Sequence, residues 1–235
     1  MRLSTIYKGI LKNKVTFHVQ QLTTNDVTNI LGLQSIVYED MPNKKYLSKL
    51  SKEEYEYILA GQGLILGTFV AEDLIAIRAL LIPKLEDPEH LGYEVGLSQD
   101  QFSNLIYQEI SLVHPDYRGN RLQQLLARLI MEQLDEQFPN VRYISCTVAP
   151  FNIPSLLDKF RQDMYIKSLK VIYDHQLRYI FFKDLKEKLS LKRVKQTKVI
   201  PMNAIKEQQD LLAKGWIGIS LKEKEGSYFV KYIKC

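Results

Sequence analysis

The sequence predicts an α+β fold, arranged as three layers, in which a mixed and mostly antiparallel sheet carries helices on both faces and a smaller α/β appendage follows. Three observations lead there. Strand-like and helix-like segments follow one another in the order β-α-α-β-β-β-α-β-α-β-β up to residue 182. Two of the strands, within GLILGTFVAEDLIAIRALLI, are joined by the short turn Ala71-Glu72-Asp73, and so short a turn forces an antiparallel hairpin. Third, Leu122, Leu125, Leu126, Leu129, Ile130 and Leu134 recur at helical spacing, the strongest amphipathic pattern in the chain.

Taken in order, Val15 to Leu22 is rich in β-formers, and Thr23-Thr24-Asn25-Asp26 supplies side chains that cap a helix start. Helical stretches run from Asp26 to Tyr38 and from Lys52 to Leu59, ahead of the apolar hairpin. Residues 83–103 carry two prolines, two glycines and five acids, the composition of a long polar connection that covers a site or moves. Leu105 to Val113 is a third long strand, on which alternation puts Leu105, Tyr107 and Glu109 on one face and Ile106, Gln108 and Ile110 on the other. Pro115 and Gly119 then break the pattern before the amphipathic helix, which stops at Phe138-Pro139. Arg142 to Val148 reads as a strand, Asn152 to Asp163 as a helix, and Tyr165 to Tyr173 and Gln176 to Phe182 as two more strands.

Residues 1–185 are expected to form one domain and 186–235 a basic extension. The extension reads as a strand at Val194 to Met202, a helix at Asn203 to Leu212 and a terminal hairpin turning at Lys224-Glu225-Gly226-Ser227. Covering the core, extending a sheet edge and making a homodimer contact are all open roles for it.

Composition excludes several classes. With 46% hydrophobic and 25% charged residues over 235 positions, the chain buries roughly 70–75% of its unfolded surface on folding. It needs no disulfide or metal staple. The two cysteines, Cys146 and Cys235, lack ligand spacing, so no metal is expected and a reducing cytoplasm fits best. The longest apolar stretch is broken by Glu72, Asp73 and Arg78, and MRLSTIYKGI lacks the apolar core of a signal peptide, so no membrane association is expected. The net charge of +5 divides into −2 for residues 1–185 and +7 for 186–235. A basic tail without interleaved aromatics is no stacking platform, and nucleic acid is not an expected partner.

The sharpest feature is the joint between the third long strand and its helix, EISLVHPDYRGNR. A strand running through Pro and Arg-Gly into a helix leaves backbone N–H groups unpaired where the helix dipole favours negative charge, which suits a pyrophosphate. Neither Gly-x-x-x-x-Gly-Lys nor Gly-x-Gly-x-x-Gly is present, which removes the main support for nucleoside triphosphates and dinucleotides.

With VHPDYRGNRLQQLLARLI in the middle of this element order, residues 15–184 resemble the GNAT superfamily of acetyl-CoA-dependent N-acetyltransferases. The resemblance implies that the strand ending at Val113 splays from its neighbour and that acetyl-CoA, the cosubstrate, lies in the resulting V. Leu112 and Val113 would offer backbone groups to the pantetheine, and Arg118, Gly119, Asn120, Arg121, Leu122 and Gln123 would form the pyrophosphate loop. NIPSLLDKFRQDM resembles the family's second element, placing Asn152 and Ser155 beside the cofactor arm. Of the pattern Arg/Gln-x-x-Gly-x-Gly/Ala only Arg118 is kept. Arg121 and Gln123 stand at its small positions, from which amides still donate in a helical conformation, and the Arg121 guanidinium adds a contact to phosphate. Asp163-Met164 replaces Gly-Phe, and Lys159 replaces a tyrosine that often serves as general acid.

The implied activity is acyl transfer to a primary amine of a small molecule or protein by direct attack, with no acyl-enzyme. Glu109 resembles the family's base, and Tyr165, with Tyr173 beside it, is the candidate acid from the neighbouring strand. Cys146 reads as an inert core residue, and His18, His90, His114 and His175 have no assigned role. The alternative is a non-catalytic acyl-CoA-binding or interaction module that keeps this fold.

Overall fold

A computed structural model describes residues 5–173, 176–190, 192 and 194–234. In chain order the strands are β1 (Tyr7–Ile10), β2 (Thr16–Gln21), β3 (Gly63–Val70), β4 (Asp73–Leu81), β5 (Leu105–Val113), β6 (Tyr143–Val148), β7 (Tyr165–Ile172), β8 (Gln176–Asp184), β9 (Gln196–Pro201), β10 (Ile217–Lys224) and β11 (Ser227–Lys234). The helices are α1 (Val27–Asp40), α2 (Lys52–Leu59), α3 (Leu91–Val95), α4 (Leu122–Gln137), α5 (Ile153–Arg161) and α6 (Ile205–Ala213). The chain divides into two units, residues 1–83 with 106–141 and residues 84–105 with 142–235. Among the described residues no helix is long and apolar enough to cross a membrane.

In the first unit the strands lie in the order β1-β2-β3-β4-β5, each antiparallel to the next. β3 and β4 are buried along nearly their whole length, which is why their sequences are almost continuously apolar. Helices cover both faces of this sheet. On one, α1 and α2 bring Ile30, Leu33, Val37, Tyr55 and Ile58 against Ile65, Phe69, Ile77, Ala79, Ile110 and Leu112. On the other, α4 buries Leu122, Leu126, Leu129, Ile130 and Leu134. Arg78 points to that second face, where its guanidinium donates to Gln108 Oε1 at 2.8 Å and to the Gln123 carbonyl at 3.5 Å. Local chemistry sets the helix ends. Asp26 accepts the Thr23 N–H at 2.8 Å, and Ser51 with Glu54 forms a reciprocal capping box at the start of α2. At the end of α1 the Lys44 ammonium donates to the carbonyls of Tyr38 and Glu39.

In the second unit the order is β6-β8-β7-β10-β11-β9, again antiparallel throughout. The extension therefore lengthens a sheet edge. β10 meets β7 at Gly218 and Ile166, and α6 ties the added strands down. Gln208, fully buried on α6, accepts from the hydroxyls of Tyr179 and Tyr232 at 2.7 and 2.8 Å and donates to the carbonyls of Pro201 and Met202.

Residues 83–103 are more structured than their composition suggests. From residue 84 on they belong to this unit, with an exposed stretch at 84–89 followed by α3 and a 3-10 turn at Gln99–Asn104 that pack on it. His90, Leu91, Val95 and Phe102 are buried, and the His90 ring stacks on Phe102 with centroids 4.0 Å apart. Glu94 pairs with Lys170 at 2.6 Å, and Gln101 donates to the Tyr143 hydroxyl at 2.9 Å. The apolar residues are too few and too far apart to show a period, yet they are the ones that anchor the segment. Cys235 and His175 lie outside the described residues.

Candidate active site

The joint after β5 is a tight turn that leads directly into α4. Pairing continues past the strand through the His114 N–H to the Ile75 carbonyl at 2.9 Å, and Pro115–Tyr117 then forms a 3-10 turn. Two left-handed residues, Gly119 at φ +78° and Arg121 at φ +59°, bend the chain into α4. The first helical bond runs from the Leu125 N–H to the Arg121 carbonyl at 3.0 Å, so the N–H groups of Leu122, Gln123 and Gln124 precede the ladder and face the turn. Arg121 is thus not helical as expected. It is the residue before the helix, in a backbone region that glycine enters at no steric cost.

The other expected loop residues divide into those that present groups and those that hold the turn. Asn120 holds it: its Oδ1 accepts the Lys12 N–H at 3.0 Å and its Nδ2 donates to the Tyr117 carbonyl. Arg118 is engaged by Asp40 at the end of α1, at 2.5 Å. The side chains of Leu112 and Leu122 are buried in the core, leaving only their backbone for a ligand, and Val113 is half-buried. The Arg121 side chain is exposed.

Glu109 sits at a break in register. Ala79 is opposite Ile110 but Leu80 is opposite Gln108, so Glu109 is the extra residue of a β-bulge. Simple alternation therefore fails here. Gln108 reaches Arg78 on the α4 face, whereas Ile110 belongs to the core beneath α1 and α2. The Glu109 carboxyl is half-buried and lies in the field of Glu54 and Tyr55 on α2. Burial, with repulsion from Glu54 added, pushes it up to about 7. Tyr55 in turn donates to Gln34 Oε1 at 2.8 Å, and Gln34 is clamped on the Leu50 backbone by bonds of 2.9 and 3.0 Å. Sequence reasoning named Glu109 but not Glu54, Tyr55 or Gln34. Its only signal was the Ser51-x-x-Glu54 capping pattern, which marks a helix start and says nothing about what that helix faces.

No protein-family model and no curated protein sequence matches the chain. Solved structures do. The fold is similar to that of a GNAT-family acetyltransferase from Streptococcus pneumoniae, with a TM-score of 0.54 and 14% identity over 72% of this chain and 99% of that one. It is similar to ribosomal-protein-S5-alanine acetyltransferase from Vibrio fischeri, with a TM-score of 0.54 and 9% identity over 78% and 100% of the two chains. Arabidopsis thaliana NAA60, solved in complex with acetyl-CoA, gives 0.54 and 14% over 73% and 99%. The chain has the GNAT fold. Its mixed architecture and mostly antiparallel strands agree with the expectation from sequence.

The second GNAT-like element lies in the other unit. Asn152 is the N-cap of α5, its Oδ1 accepting the Ser155 N–H at 3.4 Å. At the far end Asp163 takes φ +59° where the GNAT pattern has glycine, and the Met164 N–H bonds back to the Lys159 carbonyl at 3.2 Å. The helix is closed by the same left-handed turn a glycine would make, and Met164 is buried in place of the usual phenylalanine. Lys159 is buried and pairs with Asp158 at 3.4 Å. Tyr165 begins β7 beyond the C-terminal end of α5, whereas Asn152 and Ser155 lie at the N-terminal end of that helix. Its ring packs edge-on to Phe182, and burial together with Asp184 and Glu187 raises its hydroxyl to about 12. Cys146 is buried, as expected of a core residue.

Proposed function

We propose that the protein transfers the acetyl group of acetyl-CoA to a primary amine of a small molecule or protein, with Glu109 as the general base. The observation that supports this most is the Glu109 carboxyl, placed by a bulge and raised to about 7. A base of that strength is ionised in part at neutral pH and still accepts a proton well. The turn at the start of α4 suits a pyrophosphate: three helix-start N–H groups precede the first helical bond and the exposed Arg121 adds positive charge. Among solved structures of this fold, NAA60 was determined with acetyl-CoA.

Bound there, acetyl-CoA would supply an activated acetyl carbonyl. The backbone of Leu112 and Val113 would hold the pantetheine, Gly119 to Gln123 the pyrophosphate, and Asn152 and Ser155 the cofactor arm. Glu109 takes the proton that the amine gives up as its nitrogen bonds to the acetyl carbon. The C–S bond breaks, and the departing thiolate is protonated from solvent. Tyr165 is left out of this relay, because a hydroxyl raised to about 12 is a poorer acid than an ordinary tyrosine and lies beyond the far end of α5. A buried cysteine suits the reducing, cytoplasmic setting that we retain.

One observation favours a non-catalytic acyl-CoA-binding module: the buried Lys159–Asp158 pair, which places a lysine where the GNAT pattern often has its tyrosine acid. Two measurements separate the readings. Acetyl-CoA at 100-fold excess over Kd should stabilise the protein by about 2.7 kcal/mol, and NADH or ATP by much less. Thiol release with a panel of small amines and N-terminal peptides should then show turnover that rises with pH through about 7. Binding without turnover on any amine would support the module. No thermal shift with millimolar acetyl-CoA or CoA would overturn both readings.

A further inference from the structure

Gln34 is 4% exposed on the buried side of α1, among the core residues Ile30, Leu33 and Val37. A leucine would fill that place with no polar group to satisfy. The amide instead binds two segments at once. Its nitrogen donates to the Leu50 carbonyl at 2.9 Å, and its oxygen accepts the Leu50 N–H at 3.0 Å and the Tyr55 hydroxyl at 2.8 Å. Between those two residues the Ser51 N–H donates to the Glu54 carboxylate at 2.6 Å and the Glu54 N–H to Ser51 Oγ at 3.2 Å. Residues 50–55 are thus fastened at both ends by one buried side chain and in the middle by their own capping box. The Tyr55 ring is fully buried, and a phenylalanine would pack there as well, so what its hydroxyl adds is the bond to α1. This is the stretch that acts on Glu109. Among the described residues, the titratable groups in whose field the carboxyl lies are Glu54 and Tyr55, both on α2. To the same core α1 and β4 bring Gln34 and apolar residues such as Ile30, Leu33, Ile77 and Ala79.

We propose that Gln34, acting through Tyr55, is a positioning residue for Glu109: it holds the start of α2 in place against the bulge, keeping water from the carboxyl and Glu54 fixed. This rests on the functional reading above, in which Glu109 is the base. With the clamp released, the Leu50 backbone groups and the Tyr55 hydroxyl would be left without these partners and would draw in water. Entry of water and loosening of Glu54 act in the same direction. Both return the carboxyl toward its ordinary strength, at which it takes the proton of an amine less well.

The test titrates the Glu109 carboxyl in the full chain without substrate, by carbon-13 NMR of its side-chain carboxyl, assigned with Glu109→Gln. Wild type, Tyr55→Phe and Gln34→Leu are compared, and the pH dependence of kcat is measured alongside. Tyr55→Phe keeps the ring and removes only the hydroxyl, and should weaken the proton affinity of Glu109 about 3-fold. Gln34→Leu, which also releases Leu50, should weaken it by about 10-fold or more. The acid limb of kcat should move to lower pH by the same factor, with KM for acetyl-CoA near wild type. A Glu109 midpoint that is unchanged in Tyr55→Phe overturns the proposal, whether or not Gln34→Leu folds. So does a loss of thermal stability in the variants with the wild-type pH profile retained, which would make the clamp structural only. Wild type in which Glu109 titrates near 7 while no amine is acetylated overturns the functional reading instead, a result distinct from variants that titrate as wild type does.

Discussion

Glu109 in the first unit and Gln208 in the second are polar groups withdrawn from water, and the fold treats them in opposite ways. Around Gln208 each hydrogen-bonding group has a partner: two tyrosine hydroxyls donate to its oxygen, and its nitrogen donates to two carbonyls. Around Glu109 the charge that acts on it is another carboxylate, Glu54, and among the described residues no cation pairs with it. A satisfied polar group fixes structure, joining α6 to β8 and β11. A carboxyl drawn out of water beside a like charge raises its own proton affinity, which is useless for holding a sheet together and valuable for taking a proton from an amine.

The sharpest way to break this contrast is to remove the charge and keep the shape. Glu109→Gln should slow acetyl transfer by about 10² to 10⁴, measured as kcat at neutral pH, with acetyl-CoA affinity nearly unchanged. The deficit should shrink at high pH, where more of the amine is already neutral. Full activity across pH would make the carboxylate structural.

Gln208→Leu should follow, at about 2–4 kcal/mol of lost stability, since two buried hydroxyls and two carbonyls lose their partner together. Denaturant melts would show it, and a change below 0.5 kcal/mol would mean that water or rearranged tyrosines replace the amide. The same Glu109→Gln protein should gain stability at alkaline pH. Because the folded carboxyl titrates at about 7 and its ordinary value is 4.5, the wild type has its full contribution below pH 4.5 and loses it as pH rises through 7. The variant avoids that loss, worth about 3 kcal/mol at pH 8 to 9 and nothing below pH 4.5. Equal stability curves would show that Glu109 is not held away from water. Smallest is Arg121→Gly, which should stabilise the apo protein by about 1 kcal/mol through relief of its left-handed backbone. It should also weaken acetyl-CoA binding if the guanidinium touches phosphate.

What could be read in advance follows the range of the interactions. α2 and β5 begin and end where the sequence pattern placed them, at Lys52–Leu59 and Leu105–Val113, because that pattern is carried within a few residues. The bulge at Glu109 is set by which β4 residue lies opposite, and the pairing of Glu109 with α2 by a contact more than fifty residues away. Neither leaves a local mark. β1 was missed for the same reason, as four half-buried and exposed residues carry too little pattern. The left-handed turns at Arg121 and Asp163 were invisible because the residue that announces such a turn, glycine, is absent from both. Carrying over the family pattern missed that the left-handed backbone at these two positions forms without a glycine.

β9 ends the sheet of the second unit, bonded on one side to β11. A strand in that position offers a row of amides and carbonyls on which another chain can crystallise into a fibre. Here that template is short and ends in Pro201, which has no N–H to give, while Lys195 and Lys198 bring exposed positive charge to its length. The basicity of the tail, so easily mistaken for an affinity for nucleic acid, thereby also acts as colloidal protection. Molecules approaching edge to edge meet their own charge before they meet each other's backbone.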